Sequence, residues 1–401
     1  MASSLAFWFE TKNEDNSVNL KDIDTELHFN YWSLKSTNTN YLDVGVHISS
    51  QNNAINKQVK ALKIYLPFKS NEMNLDPSLG ALVCDDKTLL AAIFNSHILS
   101  TRSEDSSGVL NITLPDGKVF DFYTHIEEAN DDGMPGVEIR PFNDPKQPGT
   151  ILTFPAELFS KKLLVSGSKE ERKKEKKSKT KTTISYFRFR IKINRRQNSI
   201  STLFEPKAST ITSRFEETQI IDFRVNEARI LPTKIREQMR ETSRLKKVHF
   251  FLVREASAEY KAAHSEFKRC RILESEIWDK YLGHKNDTTK QHMLIYHWSD
   301  SGKNDETIDH FSAFSKFSST TVTDKKIGLM VLFLIALGVV SGIIANYIWD
   351  NITSQNKTVT KSVITEVDNR SQYGKQYFPR LGKHDIDTLN QLPCRGGQYG
   401  E

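Results

Sequence analysis

From Ile327 to Trp349 the chain reads IGLMVLFLIALGVVSGIIANYIW, 23 residues without a charged side chain. At about 1.5 Å of rise per residue this run makes about 34 Å of helix, enough to cross a hydrocarbon layer of about 30 Å with modest tilt. Lys325 and Lys326 precede it and Tyr347 and Trp349 close it, where basic heads and amphipathic rings settle at a membrane interface. A buried helix of a soluble protein is the poorer reading, because only Ser341 and Asn346 break the apolar run. The sequence thus predicts a single transmembrane helix near the C-terminus, over 327–349.

Lys316, Lys325 and Lys326 lie before the run, and Lys357 and Lys361 after it. The positive-inside rule then favours a cytoplasmic N-terminal bulk and a C-terminal tail on the opposite side. The opening MASSLAFWFETKNED has neither a basic start nor a long apolar run, so it does not read as a secretory signal. Asn-x-Ser/Thr triplets at Asn351, Asn356 and Asn369 suit an external tail, but Asn111 and Asn286 supply the same pattern elsewhere. Within the run, Gly338, Gly342 and Asn346 recur every fourth residue. Such a row lets two helices approach closely and gives the Asn a cross-helix partner, so a homo-oligomer through the span is expected.

The formal charge of +6 hides a partition. Residues 1–160 carry a balance of −10, residues 161–196 one of +12, and the rest +4. The stretch 166–183 has no apolar side chain and reads as a basic loop, 161–183, carrying Lys173, Lys174, Lys176 and Lys177. It is suited to an anionic leaflet, to nucleic acid, to the acidic domain beside it, or simply to solvent. In Ile184 to Ile193 the apolar Phe187, Phe189, Ile191 and Ile193 alternate with Tyr186, Arg188, Arg190 and Lys192. That pattern predicts a half-buried strand whose basic outer face receives an anion or a partner, or guards an edge.

The expected fold class is mainly β, an antiparallel sandwich or open barrel, followed by an α+β region and the membrane helix. Strands are predicted at Leu27 to Leu34, Tyr41 to Ile48, Val59 to Leu66, Val109 to Leu114, Val119 to Ile126, Val137 to Phe142 and Thr150 to Phe154, rich in β-branched and aromatic residues between turn clusters. One helix, Asp86 to Asn95, has an Asp placed to cap it. The domains expected are an acidic β-rich domain over 1–160 and an α+β region over 184–298. The latter has strands at Gln219 to Val225, Val248 to Val253 and Met293 to Trp298, and a helix between Pro232 and Leu245. The three- and four-residue spacing of Tyr260, Ala263, Phe267, Cys270, Leu273, Ile277 and Tyr281 predicts a long helix over 256–282. A juxtamembrane linker is expected over 299–326, with Phe311, Phe314 and Phe317 on a short interfacial turn. The polar tail, 350–401, reads as disordered.

Cys84, Cys270 and Cys394 are scattered, which gives a disulfide framework or a sequential zinc module little support and fits a reducing compartment; Cys270 reads as a small core residue. No Walker, GxGxxG, GxSxG or HExxH motif is present. His284, His292, His297 and His310 lack metal-ligand spacing, so neither catalytic residues, metal nor cofactor is expected. The leading reading is a single-pass membrane-anchored sensing or partner-binding protein, with the lipid bilayer and an anionic ligand or protein as partners and nucleic acid a minor option. Two other classes stay open: a membrane-disrupting effector of a stress or antiviral response, and a membrane-tethered enzyme acting on nucleic acid or nucleotides.

Overall fold

The computed structural model describes residues 3–12, 20–34, 39–104, 108–124, 126–129, 135–160, 182–194, 198–204, 216–239, 242–283, 292–303, 306–320 and 324–371. The chain divides into two units, Met1–Thr321 and Val322–Glu401. The first unit is mainly β. Its strands are β1 (Ala6–Thr11), β2 (Ile23–Trp32), β3 (Thr39–Gln51), β4 (Val59–Leu66), β5 (Met73–Asp76), β6 (Ser100–Glu104), β7 (Val109–Thr113), β8 (Val119–Tyr123), β9 (Glu138–Phe142), β10 (Gly149–Pro155), β11 (Thr182–Asn194), β12 (Ser201–Phe204), β13 (Glu216–Val225), β14 (Leu245–Glu255), β15 (Glu259–Ala263), β16 (Arg269–Ile272), β17 (Met293–Ser301) and β18 (Phe311–Thr320). Short helices α1 (Ala54–Gln58), α2 (Leu79–Cys84), α3 (Lys87–Phe94), α4 (Thr233–Met239) and α5 (Ser275–Leu282) interrupt them, and α6 (Asp324–Ser371) forms the second unit.

A central ten-stranded sheet runs β16-β17-β14-β2-β3-β11-β8-β7-β6, with β5 also paired to β11. Two four-stranded sheets, β1-β4-β10-β9 and β12-β13-β18-β15, complete the fold. Apolar alternation decides the packing. Phe29, Val44, Phe187, Phe189 and Phe250 lie on one face of the central sheet and share a core with both smaller sheets. Phe154 meets Phe187 at 5.3 Å on the β1-containing sheet, and Phe223 stacks on Phe250 at 4.2 Å on the other. The opposite face of the central sheet packs under α2, α3 and α5 through Leu79, Leu90, Trp278 and Tyr281.

All seven strands predicted in the first 160 residues form, and so does α3. Asp86 caps that helix by accepting from the Thr88 backbone N–H at 2.8 Å, and Asn95 closes it in the left-handed region at φ 47°; Asn is among the few non-glycine types that adopt this conformation readily.

Elsewhere the structure corrects the sequence reading. The 1–160 and 184–298 regions are not separate: β14 pairs with β2 in parallel, and β11 pairs with β3 antiparallel. The long helix over 256–282 is β15, β16 and the eight-residue α5 instead. Pairing with β18 and β17 satisfies the backbone of β15 and β16. The rings of Tyr260 on β15 and Phe267 in the loop after it then reach Tyr296 at 5.8 and 5.4 Å, so residues of two strands and the loop between them produced the helix-like spacing. Cys270, expected in a core, is exposed on β16. Much of the 299–326 linker is β18, in which Phe311, Ala313, Ser315 and Phe317 face inward at period two. Phe314 lies on the other face, so the three-residue repeat of Phe is not a helical one.

In the second unit, Ile327–Gln355 is long and apolar enough to span a bilayer. The helix continues through Ser371, so the start of the tail, read as disordered, is helical. Lys173, Lys174, Lys176 and Lys177, like residues 372–401, lie outside the described residues.

Candidate functional site

The polar face of the central sheet is built by register. Arg188 of β11 lies opposite Gly45 of β3, Gly45 opposite His28 of β2, and His28 opposite His249 of β14. One step along, Arg190, Asp43, Asn30, Phe251, His297 and Arg269 form the adjacent row across six strands. Because side chains alternate across a strand, both rows project to the same side. Phe94 of α3 and Trp278 of α5 help enclose a cavity of about 430 Å³ over them.

The basic face expected on β11 is therefore not an outer one. Tyr186 is fully buried, with its ring 4.9 Å from those of Phe94 and Phe122. Arg190 donates to both oxygens of the buried Asp43, at 2.6 and 3.1 Å. Lys192 pairs with Asp76 at 2.9 Å. Of the four residues singled out in this strand, Arg188 alone lines the cavity.

Arg188 is 1% exposed. Its Nε donates to the Tyr281 hydroxyl at 2.9 Å and its Nη1 to the Tyr186 hydroxyl at 3.1 Å. Nη2 is buried with no hydrogen-bond partner among the described residues. Asp43 cannot readily supply one, since it already accepts from Trp32 at 2.7 Å, from Arg190 twice and from Tyr281 at 2.7 Å. Burial opposes the charge of Arg188, but the Tyr281 and Tyr186 oxygens and Asp43 outweigh it and raise the pKa, so the group stays a cation. Gly45 makes the arrangement possible: a Cβ there would lie 2.2 Å from the Tyr186 hydroxyl.

Lys247, Arg269 and Arg271 also line the cavity, against one carboxylate, Glu26. Arg271 is held by Glu274 at 2.8 Å. The imidazoles are neutral near pH 7. Burial, then Lys247, pushes His249 down to about 3; burial, then Lys268, pushes His297 down to about 4. Burial, then His249, holds His28 well below 6.5. His249 Nδ1 and His297 Nε2 share a hydrogen bond at 2.9 Å. Ligand atoms of Glu26, His28 and His249 all lie within 4.8 Å of one another.

Sequence reasoning found Arg188 but missed Glu26, His28 and His249. The Glu26-x-His28-x-Asn30 alternation was the available signal on β2. The joining of β2 to β14, some two hundred residues later, has no local signature. Of the histidines weighed in the sequence, His297 meets His249; His284 lies outside the described residues.

No protein-family model matches the chain, and no curated protein matches it. Among solved structures, the Fcho1 Mu homology domain of Danio rerio with bound Eps15 peptide aligns over 80% of this chain and 81% of its own. The identity is 6% and the TM-score 0.16, a likeness that carries no argument about fold or function.

Proposed function

We propose that this is a membrane-anchored sensing protein whose β-rich unit receives a small anionic ligand in the cavity over Arg188. One observation carries the reading: a buried guanidinium with an N–H left unbonded beside that cavity. Tyr281, Tyr186 and Asp43 compensate the charge, but the buried Nη2 has no acceptor among the described residues, and an unsatisfied buried donor costs about 1–3 kcal/mol, more when charged. A guanidinium retained there suits a planar or tetrahedral oxyanion. The volume lies within the usual range for small-molecule sites, and Phe251, Trp278 and Ile295 give it apolar walls. The ligand class is therefore a phosphate or carboxylate carried on a flat apolar body.

In this reading α6 anchors the unit with the bulk of the chain cytoplasmic, and ligand occupancy changes association of the span through Gly338, Gly342 and Asn346. The adjacent Lys325 and Lys326 support the orientation, and the four-residue row supports the association.

The test uses the full chain in lipid nanodiscs with inorganic phosphate and nucleoside monophosphates as probes. Saturation at a hundred times Kd stabilises a protein by about 2.7 kcal/mol, a measurable rise in Tm. Arg188→Met should match or exceed the parent Tm without ligand and lose the ligand-dependent rise. An equal rise in both proteins, or none in either, sinks the proposal.

A further inference from the structure

We infer that Glu26, His28 and His249 form a zinc-type transition-metal site within this cavity. Glu26 and His28 are two apart on β2 and share a face, while His249 sits opposite His28 on the neighbouring β14. Two imidazoles and one carboxylate are a ligand set used by zinc enzymes, with a further position left for water or an exogenous oxygen. Among the described residues neither Glu26 nor His28 makes a side-chain hydrogen bond or ion pair, although His47 and Lys118 act on Glu26 electrostatically.

The surroundings complete the pattern. A metal-bound histidine generally donates its second ring N–H to a neighbour, which fixes its tautomer. His249 has that neighbour in His297, whose Nε2 is 2.9 Å from His249 Nδ1. With Nδ1 as donor, Nε2 of His249 carries the free lone pair. The rings of His28 and His249 meet edge to face, 5.0 Å apart. Ligands 2.0–2.1 Å from a tetrahedral zinc stand about 3.3 Å from each other, so the three atoms draw together by up to about 1.5 Å on binding. Side-chain rotation within a half-exposed cavity suffices for this.

Arg188, Lys247 and Arg269 oppose a bare dication. An anion in the open position offsets both the metal and the guanidinium, and in this one respect the inference rests on the anion reading above.

Metal-stripped full chain in nanodiscs is titrated with Co²⁺ and followed by its visible d–d bands. One equivalent should bind, producing the intense bands of a four- or five-coordinate site. Glu26→Gln and His249→Ala should each weaken binding at least 100-fold, and His297→Ala by about 10- to 100-fold, with near-UV circular dichroism reporting that each variant is folded. Absence of the bands in the parent, or binding in Glu26→Gln and His249→Ala as tight as in the parent, overturns the site. Inorganic phosphate added to the cobalt form should shift the bands in the parent and not in Arg188→Met. Phosphate that raises Tm while the cobalt arm fails overturns the metal site and leaves the anion reading standing. Cobalt bands lost in the two variants but indifferent to phosphate support the metal site and show that the anion does not enter its open position, leaving the anion reading to the Tm test above.

Discussion

The Tyr281 hydroxyl accepts from Arg188 Nε at 2.9 Å while donating to Asp43 Oδ2 at 2.7 Å. One oxygen therefore links the cation facing the cavity to the carboxylate beneath it. Tyr281 is brought there by α5, which Gly283 ends in the left-handed conformation at φ 72°, an arrangement glycine enters without a Cβ penalty.

Tyr281→Phe keeps the ring and removes the link. Hydrogen bonds to charged groups are worth about 1.5–3 kcal/mol each, so the variant, which loses two, should lose about 3–6 kcal/mol in urea unfolding with an unchanged slope. Phosphate affinity should fall as well, since Arg188 loses the bond that aims it. Unchanged affinity would assign Tyr281 to stability alone.

Asp43 is fully buried and balances Arg190. Removing one partner of a buried pair costs about 3–5 kcal/mol because the other charge is stranded. Asp43→Asn should lose about that much, and the double variant Asp43→Asn with Arg190→Met should regain a large part of it. Additive losses in the double-mutant cycle would contradict the pairing.

Asp76 gives a pH signature. Burial acts to raise its pKa, but bonds from Ser78 and Lys192 outweigh this and hold it below 3.8. A carboxylate with a lowered folded-state value stabilises above its unfolded pKa, and the contribution is lost as pH falls through the folded value. Asp76→Asn should therefore be less stable than the parent at pH 7 by about 1 kcal/mol, and the gap should close below pH 3.8. A gap independent of pH between 7 and 2.5 would mean that the charge is not the cause.

In α6, a Cβ on Gly338 or Gly342 meets nothing within 4 Å among the described residues, so a larger side chain meets no steric block there. Replacing both by Ile should abolish self-association of the span in a membrane two-hybrid assay while leaving insertion intact. Undiminished signal would show that this row is not an interface.

Local pattern carried much of the fold. Val59–Leu66 and Asp86–Asn95 were legible because alternation, capping and turn residues all lie within a dozen positions. Residues 256–282 were misread for the same reason: Tyr260 and Cys270 fit a helical period, and only the distant partners β18 and β17 make their segments strands. Arg188 was legible as a basic residue on an alternating strand. That its face is buried was not, because the covering Trp278 and Tyr281 come from a helix ninety residues away. His28 and His249 each look like an ordinary strand histidine until β2 and β14 become neighbours.

The parallel pairing of β14 with β2 also orders events during synthesis. A ribosome delivers Glu26 and His28 early, Arg188 much later, and His249 and His297 near the end of the β-rich unit. Contacts of such sequence separation form slowly, and the apolar helix follows directly behind β18. A nascent chain arrested before Met293 would expose the first histidines and hold no enclosed cavity. The proposed anion site is thus complete only once the whole β-rich unit has been made, and fragments ending inside the central sheet should be recognised by quality-control proteases whatever their local strand content.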